Sequence, residues 1–112
     1  MGRRELAEWW LAQCTEEIDK TIPKAEAYSA IDLEIMGAAE LAKLGEAGDL
    51  IPKDRREAHG MEMAIAFYAL GKLSRIIGAL SEGRDGGEDS WFDLGVYARM
   101  AQRVRETGQW PG

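Results

Sequence analysis

The sequence contains very few of the residues on which many enzyme and metal sites depend. Of its 112 residues, one is a cysteine, Cys14, and one is a histidine, His59. A lone cysteine cannot form a disulfide within the chain, and a lone histidine cannot build a metal site of several histidines. The candidate functional residues are therefore carboxylates, lysines, arginines and aromatic rings.

Several patterns that would identify a class of protein are also missing. Neither GxxxxGK[ST] nor GxGxxG occurs, so no glycine-rich phosphate loop is expected. The net charge of −6 argues against non-specific binding to nucleic acid, which needs a basic surface. No uninterrupted apolar run approaches the roughly 20 residues that span a bilayer, and the N-terminus lacks the apolar core of a signal peptide. We therefore expect a cytoplasmic protein that contacts neither membrane nor nucleic acid directly.

What the sequence does contain is the periodicity of α-helices. Apolar residues make up 46% and charged residues 30%, as in ordinary folded domains. No segment alternates between apolar and polar residues as a strand would. We predict a single all-α domain, a four-helix bundle with helices at about 4–20, 30–45, 54–81 and 89–107. Pro23 is expected to end the first helix, and Gly45 the second.

The third predicted helix is apolar almost all the way round. Yet at about 100° per residue, Lys72 and Arg75 fall on the same side as Met61, Ile65 and Tyr68. An isolated buried charge is costly, so the two cations need carboxylate or phosphate partners. A helix with so much apolar surface also predicts a homodimer, because the other helices of one chain cannot cover it.

Carboxylates lie at the apolar margins of three predicted helices. Glu34 is on the second helix, Glu62 on the third and Asp93 on the fourth, where Asp89 precedes it by one turn. If they converge in the bundle, these carboxylates could bind Mg²⁺ together with nucleotide phosphates. They could equally be structural ion-pair partners for the two cations of the third helix. The sequence leaves both interpretations open.

Most of the aromatic residues fall at helical spacing and are expected mainly in the core. These residues are Trp9, Trp10, Phe67, Tyr68, Trp91, Phe92 and Tyr97. Tyr28 differs, because it is predicted to lie in a loop just before the second helix. There its ring could stack on a nucleobase, or it could pack against the helix as a hydrophobic staple.

Three segments resemble small actinobacteriophage proteins related to the MazG-like, all-α nucleoside triphosphate pyrophosphohydrolases. The segments are KAEAYSAIDLEIMG, AFYALGKLSRIIGAL and EDSWFDLGVYARMAQRVRE, and they lie within residues 24–106. The resemblance implies a helical, commonly dimeric enzyme that uses Mg²⁺ to split a nucleoside triphosphate between its α and β phosphates. If the chain is encoded by a phage, it would act in the cytoplasm of the host cell.

The resemblance also implies roles for individual residues of this sequence. The carboxylates expected to hold Mg²⁺ are Glu34, Glu62, Asp89 and Asp93, and the first two are expected to be catalytic by activating water. The residues expected to contact the nucleotide are Lys24, Tyr28, Lys72 and Arg75.

The paired acidic motifs of that family, ExxE and ExxD, are incomplete here. Gly37 stands three residues after Glu34, and Ser90 three residues before Asp93. A second interpretation therefore stays open, in which the chain is a non-catalytic helical phage protein that binds a nucleotide or a host protein. In that case the same charged residues would be ion pairs that fix the helices.

Overall fold

Four α-helices account for most of the chain. The structure, a computed structural model, describes residues 2–27 and 31–111. Helix α1 spans Arg3–Ala27, α2 Ile31–Ala42, α3 Arg56–Ser81 and α4 Glu88–Thr107. Two 3₁₀ turns, Gly45–Leu50 and Lys53–Arg55, connect α2 to α3. The described residues include no strand, so the predicted all-α class is confirmed.

The ends of the helices differ from the predicted ones in two places. Helix α1 continues through Pro23 to Ala27, so the prediction that this proline ends the helix is wrong. Proline removes one helical hydrogen bond, but α1 is exposed here and water can satisfy the freed carbonyl group. Helix α2 stops at Ala42, and Gly45, with a φ of 56°, begins the first 3₁₀ turn instead of directly ending the helix.

The core lies where α2, the first half of α3 and the end of α4 meet. Its buried residues are Leu33, Ala58, Met61, Ala64, Ile65 and Val104. Beside them the rings of Tyr68 and Tyr97 stack, with centroids 5.9 Å apart and planes inclined by 24°. The second half of α3 is covered from one side, by α4, and buries only Ile76 and Ala79 there.

Two glycines set the distance between α2 and α3. A Cβ atom on Gly37 would lie 2.8 Å from the carbonyl carbon of Gly60 and 2.8 Å from the backbone nitrogen of Met61. Real Cβ atoms do not approach backbone this closely, so any other residue forces the helices apart. The crossing therefore needs glycine on both helices.

Helix α1 lies outside this core. None of its described side chains is buried, and its contacts are with α4. Glu17 forms an ion pair with Arg99 at 3.5 Å, and the Lys20 ammonium lies 5.4 Å from the centre of the Phe92 ring. The four helices do not close around one shared core in the single chain, so the four-helix bundle stays a prediction.

The single chain leaves an unusual amount of surface uncovered. Its accessible area is 8273 Å², whereas a compact protein of 12.4 kDa exposes about 6100 Å². Its radius of gyration is 16.6 Å, against about 13 Å for a compact domain of this length. Large apolar side chains on α1, α2 and α3 are among those exposed, including Trp10, Ile35 and Ile77.

Part of this surface belongs to the most apolar helix. By length and composition alone, the helical segment Lys53–Ser81 could cross a membrane, a property that core helices of soluble proteins share. Lys72 and Arg75 interrupt its apolar sequence. The absence of a membrane contact stays a prediction.

The glycine crossing leads to a first testable prediction. Gly60→Ala should destabilise the protein by about 1–3 kcal/mol, because the added methyl group would collide with the backbone of α2. In most helices the same change is stabilising by up to about 1 kcal/mol. Urea unfolding followed by circular dichroism would measure the difference.

Gly95→Ala is the matched control, since it makes the same change within α4. A Cβ atom there would meet only Glu17 Oε2, at 3.9 Å, which is an ordinary contact. This variant should be as stable as the original chain or more so. Equal stabilities for the two variants would show that the close crossing is not formed.

Candidate functional site

A groove with a volume of about 1500 Å³ lies between α1 and α4. The two helices run antiparallel, because Glu17 contacts Arg99 whereas Lys20, further along α1, contacts Phe92, which is earlier in α4. Because the two helices touch at only a few residues, an open groove is left between them. We refer to it below as the α1–α4 groove.

Aromatic rings line much of the α1–α4 groove. Trp9 and Trp10 come from α1, Trp91 from the start of α4 and Trp110 from the segment that follows α4. The Trp9 and Trp10 rings pack edge to face, with centroids 6.1 Å apart. Trp9, Trp10 and Trp91 are each more than half exposed, so the expectation that these three belong to the core is wrong. All three line the groove, where the part of the chain that the structure describes leaves them uncovered.

Charged side chains of both signs share one end of the groove. Lys20 and Lys24 come from α1, while Glu88, Asp89 and Asp93 come from the first turns of α4. The Lys20 Nζ donates a hydrogen bond to Glu16 Oε1 at 2.6 Å. That bond and the charges of Glu16, Asp89 and Glu88 raise the pKa of Lys20, so the groove carries a permanent positive charge beside its carboxylates.

Asp93 connects the groove to the core. Its Oδ2 lies 2.8 Å from the Nζ of Lys72, and the two side chains are only 39% and 24% exposed. Lys72 therefore reaches Asp93 from α3, on the side away from α1. The predicted ion pair between the third and fourth helices is present. As a result, the Asp93 carboxylate that lines the groove is already paired with a lysine of the same chain.

Asp89 lies one helical turn before Asp93 and differs from it in having no ion pair among the described residues. Its position in the first turn of α4 favours a negative charge, since backbone N–H groups point outward there. Asp89 and Lys24 both line the groove. Asp89 is thus the more available of the two aspartates for a ligand.

The other predicted carboxylates lie elsewhere. Glu62 on α3 forms an ion pair with Arg105, which lies near the opposite end of α4. The Oε1 atom of Glu62 is 2.9 Å from the Nε atom of Arg105. Arg105 and Asp93 are twelve residues apart, which is roughly 18 Å along a helix. Glu34 is exposed on α2 and does not line the groove. One chain therefore does not bring Glu34 and Glu62 together with Asp89 and Asp93.

The residues predicted to contact the nucleotide also lie in different parts of the structure. Lys24 lines the groove, whereas Arg75 is exposed on α3 and forms no ion pair with any residue that the structure describes. Tyr28 lies outside the described residues.

Across residues 2–27 and 31–111, no three His, Cys, Asp or Glu side chains are grouped so that they could hold a metal ion. Mg²⁺ usually takes only one or two carboxylates and completes its shell with substrate phosphates and water. The pair Asp89 and Asp93 fits that smaller requirement. Binding of Mg²⁺ stays a prediction.

Apart from Lys24, sequence patterns did not single out the charged α1 residues of the groove. Lys20 and Glu17 carry no signal of their own, because charged residues of a helix are normally solvated. Their relevance depends on α4 packing alongside, which no local pattern specifies. Glu16 and Lys20 have the spacing of an ordinary exposed ion pair on a helix. Only the contact between Lys20 and Phe92 of α4 distinguishes this pair from other surface pairs.

Comparisons with known proteins do not assign the chain to a family. No family model, no curated protein and no solved structure matches it.

The Lys72–Asp93 pair can be tested by a double-mutant cycle. Lys72→Met and Asp93→Asn should each destabilise the protein, and their coupling energy should be about 1–2 kcal/mol, because both groups are partly withdrawn from water. Urea unfolding of the two single variants and the double variant would measure the coupling.

Arg4 and Glu8 form the matched control pair, at 3.2 Å and largely in solvent. Arg4→Met and Glu8→Gln should show no resolvable coupling, because water screens exposed ion pairs. A Lys72–Asp93 coupling no larger than this control would mean that the pair does not join α3 to α4.

Proposed function

We propose that this chain binds a nucleoside triphosphate in the α1–α4 groove and acts as a MazG-like, Mg²⁺-dependent pyrophosphohydrolase. The observation that carries the proposal is the composition of the groove, whose lining includes exposed tryptophans together with Lys24, Asp89 and Asp93, and Trp91 lies between the two aspartates in the sequence. A nucleotide needs the same combination of groups, an aromatic surface for the base and cations with metal-binding carboxylates for the phosphates. The resemblance described above supports the same assignment.

The base would stack on an exposed tryptophan. Trp91 is 57% exposed and lies two residues from both Asp89 and Asp93, so its ring could hold a base next to the charged end of the groove. Trp9 and Trp10 are 54% and 60% exposed and line the groove toward its other end. Stacking of a base on an aromatic side chain contributes roughly 1–3 kcal/mol and tolerates different bases. Discrimination between bases would then depend on hydrogen bonds at the base edge.

The phosphates would lie at the charged end. Lys24 and Lys20 would offset the charge of the triphosphate, while Asp89 and Asp93 would supply oxygen ligands for the cation that accompanies it. When bound, Mg²⁺ would polarise the phosphates and favour a hydroxide-like water. Attack of that water on the α phosphorus would release pyrophosphate and leave a nucleoside monophosphate.

A specific observation also favours a second candidate, a non-catalytic helical protein that binds a nucleotide or a host protein. Asp93 and Glu62 are both engaged by cations of the same chain, at 2.8 and 2.9 Å. A carboxylate held in an ion pair is a weaker ligand for Mg²⁺ and a weaker base. On this interpretation the groove binds its ligand without turnover.

We propose further that the functional unit is a homodimer. The chain exposes about 2100 Å² more than a compact protein of its mass. Burial of that excess in each of two copies would give an interface of roughly 4000 Å², within the range of obligate dimers. The exposed surface includes large apolar side chains on α1, α2 and α3, and monomeric proteins rarely expose large apolar patches.

Pyrophosphate release decides between the catalytic and the non-catalytic candidates. The chain should release pyrophosphate from at least one member of a panel of ribonucleoside and deoxyribonucleoside triphosphates, and only when Mg²⁺ is present. If nothing is hydrolysed but a nucleotide still raises the melting temperature, the non-catalytic candidate is correct. If no nucleotide is hydrolysed and none raises the melting temperature, the groove does not bind nucleotides.

Asp93→Asn should be the most damaging conservative change in the groove. It removes a possible Mg²⁺ ligand and also leaves Lys72 without its carboxylate, so Mg²⁺-dependent stabilisation by nucleotide and any turnover should be lost. Asp89→Asn should have a milder effect, because it leaves that ion pair in place. Isothermal titration of Mg²⁺ in the presence of nucleotide would measure both.

Asp54→Asn makes the same chemical change in the connection to α3, outside the groove, and should leave the isotherm unchanged. An isotherm for Asp93→Asn that matches this control would assign Asp93 to a structural role.

The dimer predicts a mass of twice 12.4 kDa in solution. Multi-angle light scattering at micromolar concentration measures it directly. A mass of 12.4 kDa for a folded, helical sample would contradict the dimer without bearing on the groove.

A further inference from the structure

We propose that the two copies meet through one particular surface, the outer face of α3. This inference rests on the homodimer proposed above and specifies its contact. The outer face consists of Phe67, Leu70, Gly71, Ser74, Ile77 and Gly78. All six residues belong to the side of α3 that faces away from the core.

The spacing of these residues is that of a helix-pairing seam. Phe67 and Ser74 are seven residues apart, as are Leu70 and Ile77, and Gly71 and Gly78. A seven-residue repeat keeps one stripe of a helix facing a partner helix over several turns. The face is also open, since Phe67, Leu70 and Ile77 are 53%, 57% and 56% exposed.

Within residues 2–27 and 31–111, no other helix of the chain packs on Gly71 or Gly78. Neither glycine has a described atom within 4 Å of the position of a Cβ, apart from the backbone of α3 itself. In contrast, Ile76 and Ala79 are buried against the opposite side. Helix α3 therefore has one covered and one uncovered apolar side over its second half.

The absence of charge argues for a second copy of this chain as the occupant. Between residues 66 and 81 the only charged residues are Lys72 and Arg75, and both lie outside the seam. Lys72 points to Asp93 on the core side. In a twofold contact each surface meets itself, so a charged face would repel its copy, whereas a neutral apolar face is complementary to itself.

The excess accessible surface of the chain is too large for a short peptide to cover. The excess of about 2100 Å² cannot come from one stripe of α3, so the exposed apolar residues of α1 and α2 must contribute. A second chain of the same size provides enough surface. Small residues at three seam positions, Gly71, Ser74 and Gly78, would let two α3 helices approach closely along their length.

Ser74 lies near the centre of the seam, and this position gives the sharpest test. Near a twofold axis a residue contacts its own copy, whether the two α3 helices run parallel or antiparallel. A cysteine there would lie within disulfide distance of its counterpart. Ser74→Cys in a Cys14→Ala background, treated with oxidised glutathione, should therefore give a covalent dimer on a non-reducing gel.

Glu106→Cys in the same background is the matched control. Residue 106 is also exposed on a helix, but it lies near the end of α4, so only random collisions should crosslink it. Ile77→Glu provides an independent measurement. A charge placed in the seam should reduce the solution mass to 12.4 kDa while the helical circular dichroism signal is retained.

The outcomes separate this inference from the proposals on which it depends. If the original chain is a dimer but Ser74→Cys crosslinks no faster than Glu106→Cys, and Ile77→Glu remains dimeric, α3 is not the contact. If the original chain is a monomer, the homodimer and this inference both fail. If it is a monomer that binds vesicles of neutral phospholipid through the same face, α3 contacts lipid instead. Nucleotide hydrolysis by the original chain is measured in its own assay, so its outcome is distinguishable from that of the α3 contact.

Discussion

The apolar character of α3 on two opposite sides is the constraint from which the other features of this chain follow. One side packs against α2 and α4 and forms the core of the described residues, while the other is exposed to water in the single chain. Burial of apolar surface is the main favourable contribution to folding, and it must offset a conformational entropy cost of similar size. A chain of 112 residues that leaves about 2100 Å² of excess surface gives up much of that contribution. Folding and association are therefore expected to be coupled.

The Lys72–Asp93 pair connects this core to the groove. Lys72 lies on the covered side of α3, where an unpaired ammonium group would be costly, and Asp93 satisfies it from α4. The same aspartate is among the residues that line the α1–α4 groove, so any ligand there would change the environment of a residue that also holds two core helices together. Binding in the groove should for this reason be visible as a change in global stability. The pair has both a structural and a potential functional role, and only measurements that separate stability from binding can assign its contribution.

Periodicity predicted the number, type and approximate position of the helices, because each helix has to present an apolar stripe to its neighbours. It could not show whether anything covers a given stripe. Trp10 and Trp91 fall at core-like positions of their helices, yet both lie open in the groove. The site was anticipated only in part for a related reason. The partnership of Lys72 with a carboxylate follows from the cost of a buried charge, whereas the separation of Glu62 from Asp93 depends on where the helices cross. Helix crossings carry no local signal: α2 and α3, for example, meet at Gly37 and Gly60, two residues far apart in the sequence.

The positions of the carboxylates determine whether a Mg²⁺ site could be built from one copy of the chain or would need two. Asp89 and Asp93 lie in the groove at one end of α4, while Glu62 contacts Arg105 near the other end and Glu34 lies exposed on α2. Roughly 18 Å along α4 separates the two sets, which is far beyond the span of one metal ion. A single chain can therefore offer one Mg²⁺ ion only two of these four carboxylates, Asp89 and Asp93, from the groove. A site that used all four would have to combine the groove of one copy with α2 and α3 of the other. If the groove of one copy is sufficient, a variant that disrupts the dimer but still folds should retain nucleotide binding, and if both copies are required, it should lose binding and turnover together.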